Sequence, residues 1–441
     1  MSHQQQFQTL VEKLKNTLGT HEHFTLAYSA EESEFIRFNH AKVRQAGRVE
    51  QASVTLKLID AGRHADLQLT LCGDAEVDAM RMSEAVRQLR DTLALLPQDP
   101  YLKPNTESWR SNNVQHSPLP DSDAVVEQIA QLANGLDLVG FYAAGPLYRG
   151  FASSWDALGW HEASSFNFDW SLFHKNGQAV KANYAGHDWN NSAFKRRFEL
   201  AREQLEYLGR PLKTLAPGRY RAYLAPAAMD EIMGMLCWGG FSAQSLANKT
   251  SPLQRLYNGD ASFNSLVSLD EQVTGSLSPA FSSEGYPRRD LSLITHGRSG
   301  DQLVGSASAA EYGLPANGAE PWESPNSLSM AAGNLDLDQV LQKLGTGLYI
   351  GNLWYLNYSD QSAARLTGMT RFATFWVEDG KIQAPVSTMR FDDSAYSLLG
   401  SALEELTSER ELILSTSTYS ERQTASSQLP GALISKLTLT L

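Results

Sequence analysis

The sequence predicts an α+β protein with two domains, an N-terminal domain of helices and antiparallel strands and a strand-rich C-terminal domain. Its 441 residues exceed what a single hydrophobic core usually serves. In the first half, segments with the 3.6-residue period of amphipathic helices alternate with segments of period two, whereas period two dominates the second half. The connection 210–218 contains two prolines, so we place the boundary there and predict domains 1–212 and 213–441.

The N-terminal domain is predicted to hold several helices and a hairpin. Residues 4–19 carry apolar residues at helical spacing, namely Phe7, Leu10, Val11, Leu14 and Leu18. Polar and apolar residues alternate in 52–58 and 65–71 on either side of a turn, which predicts an antiparallel hairpin. Further helices are predicted at 74–96, 121–134 and 190–208, a strand-rich stretch at 138–184, and a surface connection at 97–120.

In the C-terminal domain, a strand at 220–224 leads into a helix at 226–238. Pro226 suits the first turn of a helix, and apolar side chains follow at helical spacing, namely Met229, Ile232, Met233, Leu236 and Cys237. This face predicts packing into a core. The rest of the domain reads as strands and loops, with the clearest strands at 367–385 and 429–441.

The composition is that of a globular protein with an acidic surface. The formal net charge of −12 argues against a nucleic-acid backbone or an anionic membrane as the main partner. No apolar run approaches the ~20 residues that span a bilayer, and the polar start predicts no secretory signal. Cys72 and Cys237 lie in apolar contexts, which predicts buried thiols and no disulfide. We therefore expect a cytoplasmic protein.

Short motifs along most of the chain occur in a characteristic order and spacing. They lie at Phe38–Asn39, Val43–Gln45, Ser283–Pro287, Asp290–Gly297, Pro325–Leu328 with Gly333, and Phe375–Ile382 with Pro385–Val386. Together they resemble the TldD/PmbA family, also called modulator of DNA gyrase, a group regarded as zinc peptidases. The segment 352–371 departs from the common glycine-rich version, which indicates a divergent branch.

TldD-type members of that family carry His-Glu-x-x-x-His on the helix that corresponds to 226–238. If Asn248–Ser251 is matched to the small polar stretch after that motif, its positions fall on Met235, Leu236 and Gly240. None of these three side chains can bind zinc. The resemblance is thus nearest to the metal-less PmbA or TldE branch. It implies no zinc or other cofactor and no catalytic residue in this chain.

His161 and Glu162 form an adjacent His-Glu pair, but no second histidine follows at the spacing of a zinc-binding helix. Alternating aromatic residues around the pair predict a strand, on which His161 is either structural or faces a substrate. In the divergent segment, Arg365, Thr367 and Arg371 could grip a carboxylate such as a peptide terminus. Salt bridges within a loop are the alternative.

The family resemblance implies a non-catalytic subunit of a TldD-type zinc metallopeptidase complex that processes peptides or unfolded proteins. A TldD-type partner would supply the zinc and the general-base glutamate, and the chain would pair with that partner or with itself as a homodimer. One alternative is a stand-alone peptide- or protein-binding regulator without peptidase activity. Another is a hydrolase that uses His161 and Glu162. No nucleic acid or membrane is expected among the partners.

Overall fold

The structure is a computed structural model that describes residues 2–115 and 117–440. Two β-sheets with helices packed on them confirm the predicted α+β class. The strands of the N-terminal sheet are β1 (His23–Asn39), β2 (Lys42–Asp60), β3 (Arg63–Thr70), β4 (Arg110–Gln115), β5 (Asp137–Ser153), β6 (Leu158–Phe173) and β7 (Ala179–Gly186). Its helices are α1 (His3–Lys15), α2 (Ala75–Leu93), α3 (Ser122–Leu132) and α4 (Asn191–Leu208).

The strands of this sheet follow the order β3-β2-β1-β5-β6-β4, and β7 pairs with the second half of β6. All the pairings are antiparallel except that of β4 with β6. We predicted a surface connection at 97–120, and this prediction was wrong for Arg110–Gln115, which form strand β4. Its sequence is polar and its residues are all at least partly exposed, because the strand lies at the sheet edge and buries little apolar surface.

Helices cover the N-terminal sheet through two aromatic-rich clusters. In the first, α1 and α2 pack against β1 to β3, with Phe7 and Tyr28 fully buried between them. In the second, α3 and α4 pack against β5 to β7, where Trp170 and Phe198 stack. Cys72 follows β3 and is exposed, which corrects the prediction of a buried thiol. Its chain has left the sheet, and its Sγ lies 3.3 Å from an oxygen of Asp78.

The second sheet lies in the C-terminal half. Its strands are β8 (Gly218–Leu224), β9 (Leu269–Glu271), β10 (Leu291–Thr295), β11 (Arg298–Ser299), β12 (Ser327–Met330), β13 (Gly347–Asp360), β14 (Arg365–Glu378), β15 (Lys381–Pro385), β16 (Arg390–Ser394), β17 (Leu403–Leu414) and β18 (Ser426–Leu439). The helices are α5 (Pro226–Cys237), α6 (Ala243–Ala247), α7 (Gln254–Tyr257), α8 (Ser306–Tyr312) and α9 (Val340–Leu344). A 3₁₀ turn covers Leu337–Gln339 and a π-helical turn covers Ser397–Ser401.

The last strand organises this sheet. β18 pairs with β12, β16, β17 and β8, and it is buried along most of its length. The predicted strand at 429–441 corresponds to β18, although residue 441 lies outside the described residues, and the predicted stretch 367–385 corresponds to β14 and its neighbour β15. The short helices α6 to α9 differ from the predicted strands and loops, since four to seven residues are too few to show a helical period. No helix in the described part of the chain has the length and apolar character that crossing a membrane requires.

Candidate functional site

A cavity of about 460 Å³ lies between the two sheets. Helix α4 and strand β7 form its wall on the N-terminal side. Helix α5 and strands β13, β17 and β18 form the wall on the C-terminal side, together with the loop before β12. The cavity is therefore built by both halves of the chain, and α5 is the helix that presents most side chains to it.

Helix α5 has one apolar face and one face toward the cavity. Pro226 occupies its first turn, where a fixed φ and a missing N–H cost nothing. Residues at i, i+3, i+4 and i+7 enter the core and are fully buried, namely Met229, Ile232, Met233 and Leu236. A second set with the same spacing lines the cavity, namely Ala227, Asp230, Glu231, Gly234 and Cys237.

Asp230 and Glu231 form an acidic patch on the cavity wall. The Ser427 hydroxyl donates a hydrogen bond to Asp230, but burial outweighs it and raises the pKa of that carboxyl. Burial also raises the pKa of Glu231, and the neighbouring charge of Asp230 adds to the effect. Neither carboxylate is in an ion pair within the described ranges. The patch can therefore accept hydrogen bonds from a bound group or stabilise its positive charge.

The other charged residues of the cavity are paired with each other. Lys181 Nζ on β7 lies 3.2 Å from Asp169 on β6. Arg197 on α4 donates to the Glu411 carboxylate on β17 over 2.6 Å, and this ion pair joins the N-terminal helix to the C-terminal sheet. The acidic patch on α5 is thus the unbalanced charge of the cavity.

These side chains do not fit a catalytic zinc ion. Zinc in peptidases takes three protein ligands from imidazole, thiolate or carboxylate. Burial raises the pKa of the Cys237 thiol and so disfavours the thiolate that would bind. In the described part of the chain, three potential ligand atoms lie within 4.8 Å of one another at His3, Glu32 and Glu50. These residues belong to the N-terminal half and not to the cavity. No catalytic step through a metal follows from the cavity.

Met235, Leu236 and Gly240, the positions matched to the family's metal motif, do not line the cavity. Met235 packs against the C-terminal core, and Leu236 is fully buried in it. Gly240 lies beyond the end of α5, where its N–H donates to the Leu236 carbonyl oxygen at 3.0 Å. A helix turns by about 100° per residue. The alignment of the family's metal motif with Met235, Leu236 and Gly240 therefore selects positions that point away from the cavity.

His161 is a buried residue at the contact of the two halves. It lies on β6 as predicted and is fully shielded from solvent. Its Nε2–H donates to the Leu277 carbonyl oxygen at 2.9 Å, and its Nδ1 lies 3.4 Å from the Asn113 amide nitrogen. Burial lowers the pKa of His161 to about 4. The imidazole is therefore neutral at physiological pH, and both of its nitrogens have protein partners.

This burial predicts an acid-sensitive fold. In the unfolded chain His161 has its usual pKa of about 6.5, so the unfolded state binds the extra proton between pH 6.5 and about 4. The contribution of neutral His161 is fully present above pH 6.5 and is lost as the pH falls toward 4. We expect the free energy of unfolding to fall by about 3 kcal/mol when this contribution is lost. Urea unfolding at pH 7.5, 5.5 and 4.5 measures this effect, and a His161→Gln variant should lack this part of the pH dependence.

Arg365, Thr367 and Arg371 all lie on β14, but the structure does not bring them to one site. Arg365 is in an ion pair with Asp392, and Thr367 donates to the Phe391 carbonyl oxygen at 3.0 Å. The Arg371 guanidinium lies over the Trp354 ring, 4.1 Å from its centroid. Six residues of extended strand separate the two arginines by about 20 Å, too far to grip one carboxylate. None of the three, nor His161, lines the cavity.

Sequence reasoning missed Asp230 and Glu231. The sequence did contain a sign of their position, because two adjacent carboxylates interrupt an otherwise apolar helix. Unpaired charges are costly inside a core, so these two side chains had to face solvent or a cavity. Arg422, which anchors the loop between β17 and β18 on the N-terminal sheet, had no such signal. It lies in a polar segment that reads as an ordinary surface loop.

Comparisons with known proteins agree with this architecture. The family model described as PmbA/TldA metallopeptidase C-terminal domain matches residues 217–441, just over half of the chain. A curated relative, Metalloprotease PmbA of Escherichia coli O157:H7, is 34% identical over 121 residues. That match covers 26% of this chain and 24% of the relative, so the chain spans about a quarter of the length of this relative.

Solved structures share the whole fold at low sequence identity. TldE from Thermococcus kodakarensis superposes with a TM-score of 0.79 at 14% identity, over 99% of this chain and all of that one. A candidate modulator of a DNA gyrase from Thermotoga maritima gives a TM-score of 0.75 at 14% identity, over all of both chains. The family model and the shared fold lead to one conclusion: the chain belongs to the TldD/PmbA family.

Proposed function

We propose that this chain is a non-catalytic subunit, without the catalytic metal at α5, of a TldD-type zinc metallopeptidase complex that processes peptides or unfolded proteins. The observation that carries the proposal is the chemistry of the cavity beside α5. The family's scaffold is retained there, but the wall offers an acidic patch and a protonated thiol in place of a zinc-binding set. A TldD-type partner would supply the zinc and the general base. We place the complex in the cytoplasm, where unpaired cysteines such as Cys72 stay reduced.

Free strand edges beside the cavity support a peptide ligand. Among the described residues, β7 pairs only with β6, and β17 pairs with β18 and, through a bridge from Thr407 to Leu335, with the loop after β12. The residues of β17 that line the cavity, from Glu411 to Leu414, lie beyond that bridge. Both strands contribute residues to the cavity wall. An extended peptide could add its backbone hydrogen bonds to such an edge, which is a common way to bind unfolded chains with little sequence preference. A cavity of about 460 Å³ holds a few residues of such a peptide.

The test is co-expression with a TldD-type chain from the same genome, followed by peptidase assays on each chain alone and on the mixture. We expect the two chains to co-purify and to hydrolyse an unstructured peptide only together. Hydrolysis by this chain alone would overturn the proposal. A homodimer that ignores every TldD-type chain but still binds peptide would instead establish the alternative, a stand-alone regulator.

Gly234 offers a direct probe of the cavity. It lies on the cavity face of α5, and a Cβ added there meets no atom within 4 Å. Gly234→Ala should stabilise the protein by about 0.5–1 kcal/mol, because alanine favours the helix. Gly234→Phe should keep the fold but fill the cavity and weaken peptide binding by at least about tenfold. Fluorescence anisotropy with a labelled unstructured peptide measures the binding.

The matched control is Gly47→Phe. Gly47 lies on the exposed part of β2, and a Cβ there also meets no atom within 4 Å. This variant adds the same ring outside the cavity and should bind peptide like the parent. Equal peptide binding by the Gly234→Phe and Gly47→Phe variants would show that peptides bind elsewhere on the chain.

A further inference from the structure

We propose that His3, Glu32 and Glu50 form a binding site for a divalent transition-metal ion, for which zinc is the best match. His3 is the first residue of α1, Glu32 lies on β1, and Glu50 lies on β2. One nitrogen and two carboxylate oxygens of these residues lie within 4.8 Å of one another. The site is separate from the cavity, and the proposal does not depend on the function proposed above.

The two carboxylates face each other across a strand pair. Glu32 and Glu50 are direct partners in the antiparallel register of β1 and β2. Like charges in that position destabilise a sheet unless a cation lies between them. Arg48 contacts only the Oε2 atom of Glu32, at 3.1 Å, and its side chain is largely exposed. The Oε1 atom of Glu32 faces His3 and accepts one hydrogen bond from Tyr148, which leaves a second lone pair on this oxygen and the Glu50 carboxylate for a cation.

A buried chain of hydrogen bonds fixes the orientation of the His3 imidazole. Asp78 is fully buried and accepts from the backbone N–H groups of Cys72 and Gly73. It also accepts from the Gln6 amide nitrogen at 3.2 Å, which turns the amide oxygen of Gln6 toward Tyr28. The Tyr28 hydroxyl donates its only proton to that oxygen, at 3.1 Å.

The same chain decides which nitrogen of His3 carries the proton. Since the Tyr28 proton is used, its oxygen accepts from Nδ1–H of His3, at 2.7 Å. With Nδ1–H used in this way, Nε2 lies 3.2 Å from Glu32 Oε1, where it can share either a proton or a metal ion with that oxygen. Two ligands of a tetrahedral zinc ion lie about 3.3 Å apart, so the observed spacing fits a shared ion.

The surroundings resemble the supporting shell of a metal site. Histidine ligands usually donate their second N–H to a fixed partner, as His3 does to Tyr28. The Tyr148 ring packs on the imidazole at 4.3 Å between centroids, and its hydroxyl donates to Glu32 at 3.3 Å. One imidazole with two carboxylates suits zinc better than magnesium or calcium, which prefer oxygen-only ligand sets. A bound ion would tie the start of α1 to the sheet.

The experiment uses the full chain with a C-terminal tag, freed of metal with a chelator and titrated with zinc by calorimetry in excess magnesium. We expect one zinc ion per chain and a thermal midpoint that rises with zinc. Glu50→Gln should weaken zinc binding at least about tenfold. Glu50 is exposed, so this variant should fold normally.

The control is His40→Gln. His40, in the turn between β1 and β2, and Asp137 on β5 form another exposed histidine–carboxylate pair, 2.8 Å apart, and the described part of the chain brings no third ligand to it. This variant should bind zinc like the parent. Zinc binding that is absent from the parent, or unchanged in the Glu50→Gln variant, would overturn the proposal and leave His3 and Glu32 as a simple ion pair.

Discussion

Replacement of Arg422 by alanine is expected to lower the free energy of unfolding by about 3–5 kcal/mol, the usual cost of leaving buried polar and charged groups without the cation that compensates them. Arg422 belongs to the loop between β17 and β18 in the C-terminal sheet, but its side chain is buried against the N-terminal sheet. It is thus a main link between the two halves that enclose the cavity.

The contacts of Arg422 reach three strands of the N-terminal sheet. Its Nη1 donates to the Ser33 hydroxyl at 3.3 Å and to the Gly145 carbonyl oxygen at 3.1 Å. Its Nη2 donates to the carbonyl oxygen and the hydroxyl of Ser165, at 2.9 Å and 2.7 Å. Its backbone N–H donates to the Glu31 carboxylate at 3.3 Å. One guanidinium therefore satisfies acceptors on β1, β5 and β6.

Burial lowers the pKa of Arg422 to about 10, so the group remains charged at neutral pH. The nearby Glu31 carboxylate, itself 1% exposed, compensates this charge. Alanine would remove the nearer compensating charge of Glu31 and the guanidinium donors to the Gly145 and Ser165 carbonyl oxygens. Unsatisfied buried groups cost more than an ordinary hydrogen bond contributes, which is why a large effect is expected.

Urea unfolding of the Arg422→Ala variant measures the loss, and limited proteolysis should show faster cleavage in the loop 415–425. The matched control is Gln423→Ala in the same loop. Gln423 is exposed, and its side chain bonds only the backbone of Glu421 within the described residues. This control should change stability by less than about 0.5 kcal/mol. A similarly small loss for Arg422→Ala would mean that the loop does not hold the two halves together.

The double substitution of Asp230→His and Gly234→His is expected to create zinc binding on α5. With Glu231 retained, it gives His-Glu-x-x-His on the cavity face, where two imidazoles at i and i+4 can bind one ion. Cys237 follows three residues later on the same face, but its raised pKa disfavours the thiolate, so the gain is expected from the two imidazoles. We expect zinc affinity at α5 to rise at least about 100-fold, equivalent to about 2.7 kcal/mol.

Calorimetry in a Glu50→Gln background measures this gain without interference from the site proposed at His3. The contrasting variant carries Met235→His and Gly240→His, at the positions that the sequence match assigned to the motif. One of these residues packs against the core and the other lies beyond the helix end, so this variant should gain no zinc binding. Zinc binding by the contrasting variant alone would show that the cavity face of α5 has been misassigned.

Local patterns predicted the elements whose apolar residues recur with a clear period. Helix α1 and the β2–β3 hairpin show such periods, and the structure confirms both. Helix α5 was also predicted within one residue of its end, since Pro226 marks its start and its core face is regular. Strand β4 was missed because an edge strand needs no apolar face, and the short helices α6 to α9 were missed because they complete too few turns.

Residue types and their order were sufficient to predict the fold class, the resemblance to the TldD/PmbA family and the lack of histidine in α5. The side chains of α5 that reach the cavity became known from the folded structure, because a shift of one position turns a helix by about 100°. The folded structure also decided that Arg365 and Arg371 lie too far apart to share a ligand. The roles of Arg422 and His3 arise from folding, which brings each of them to partners far away in the sequence.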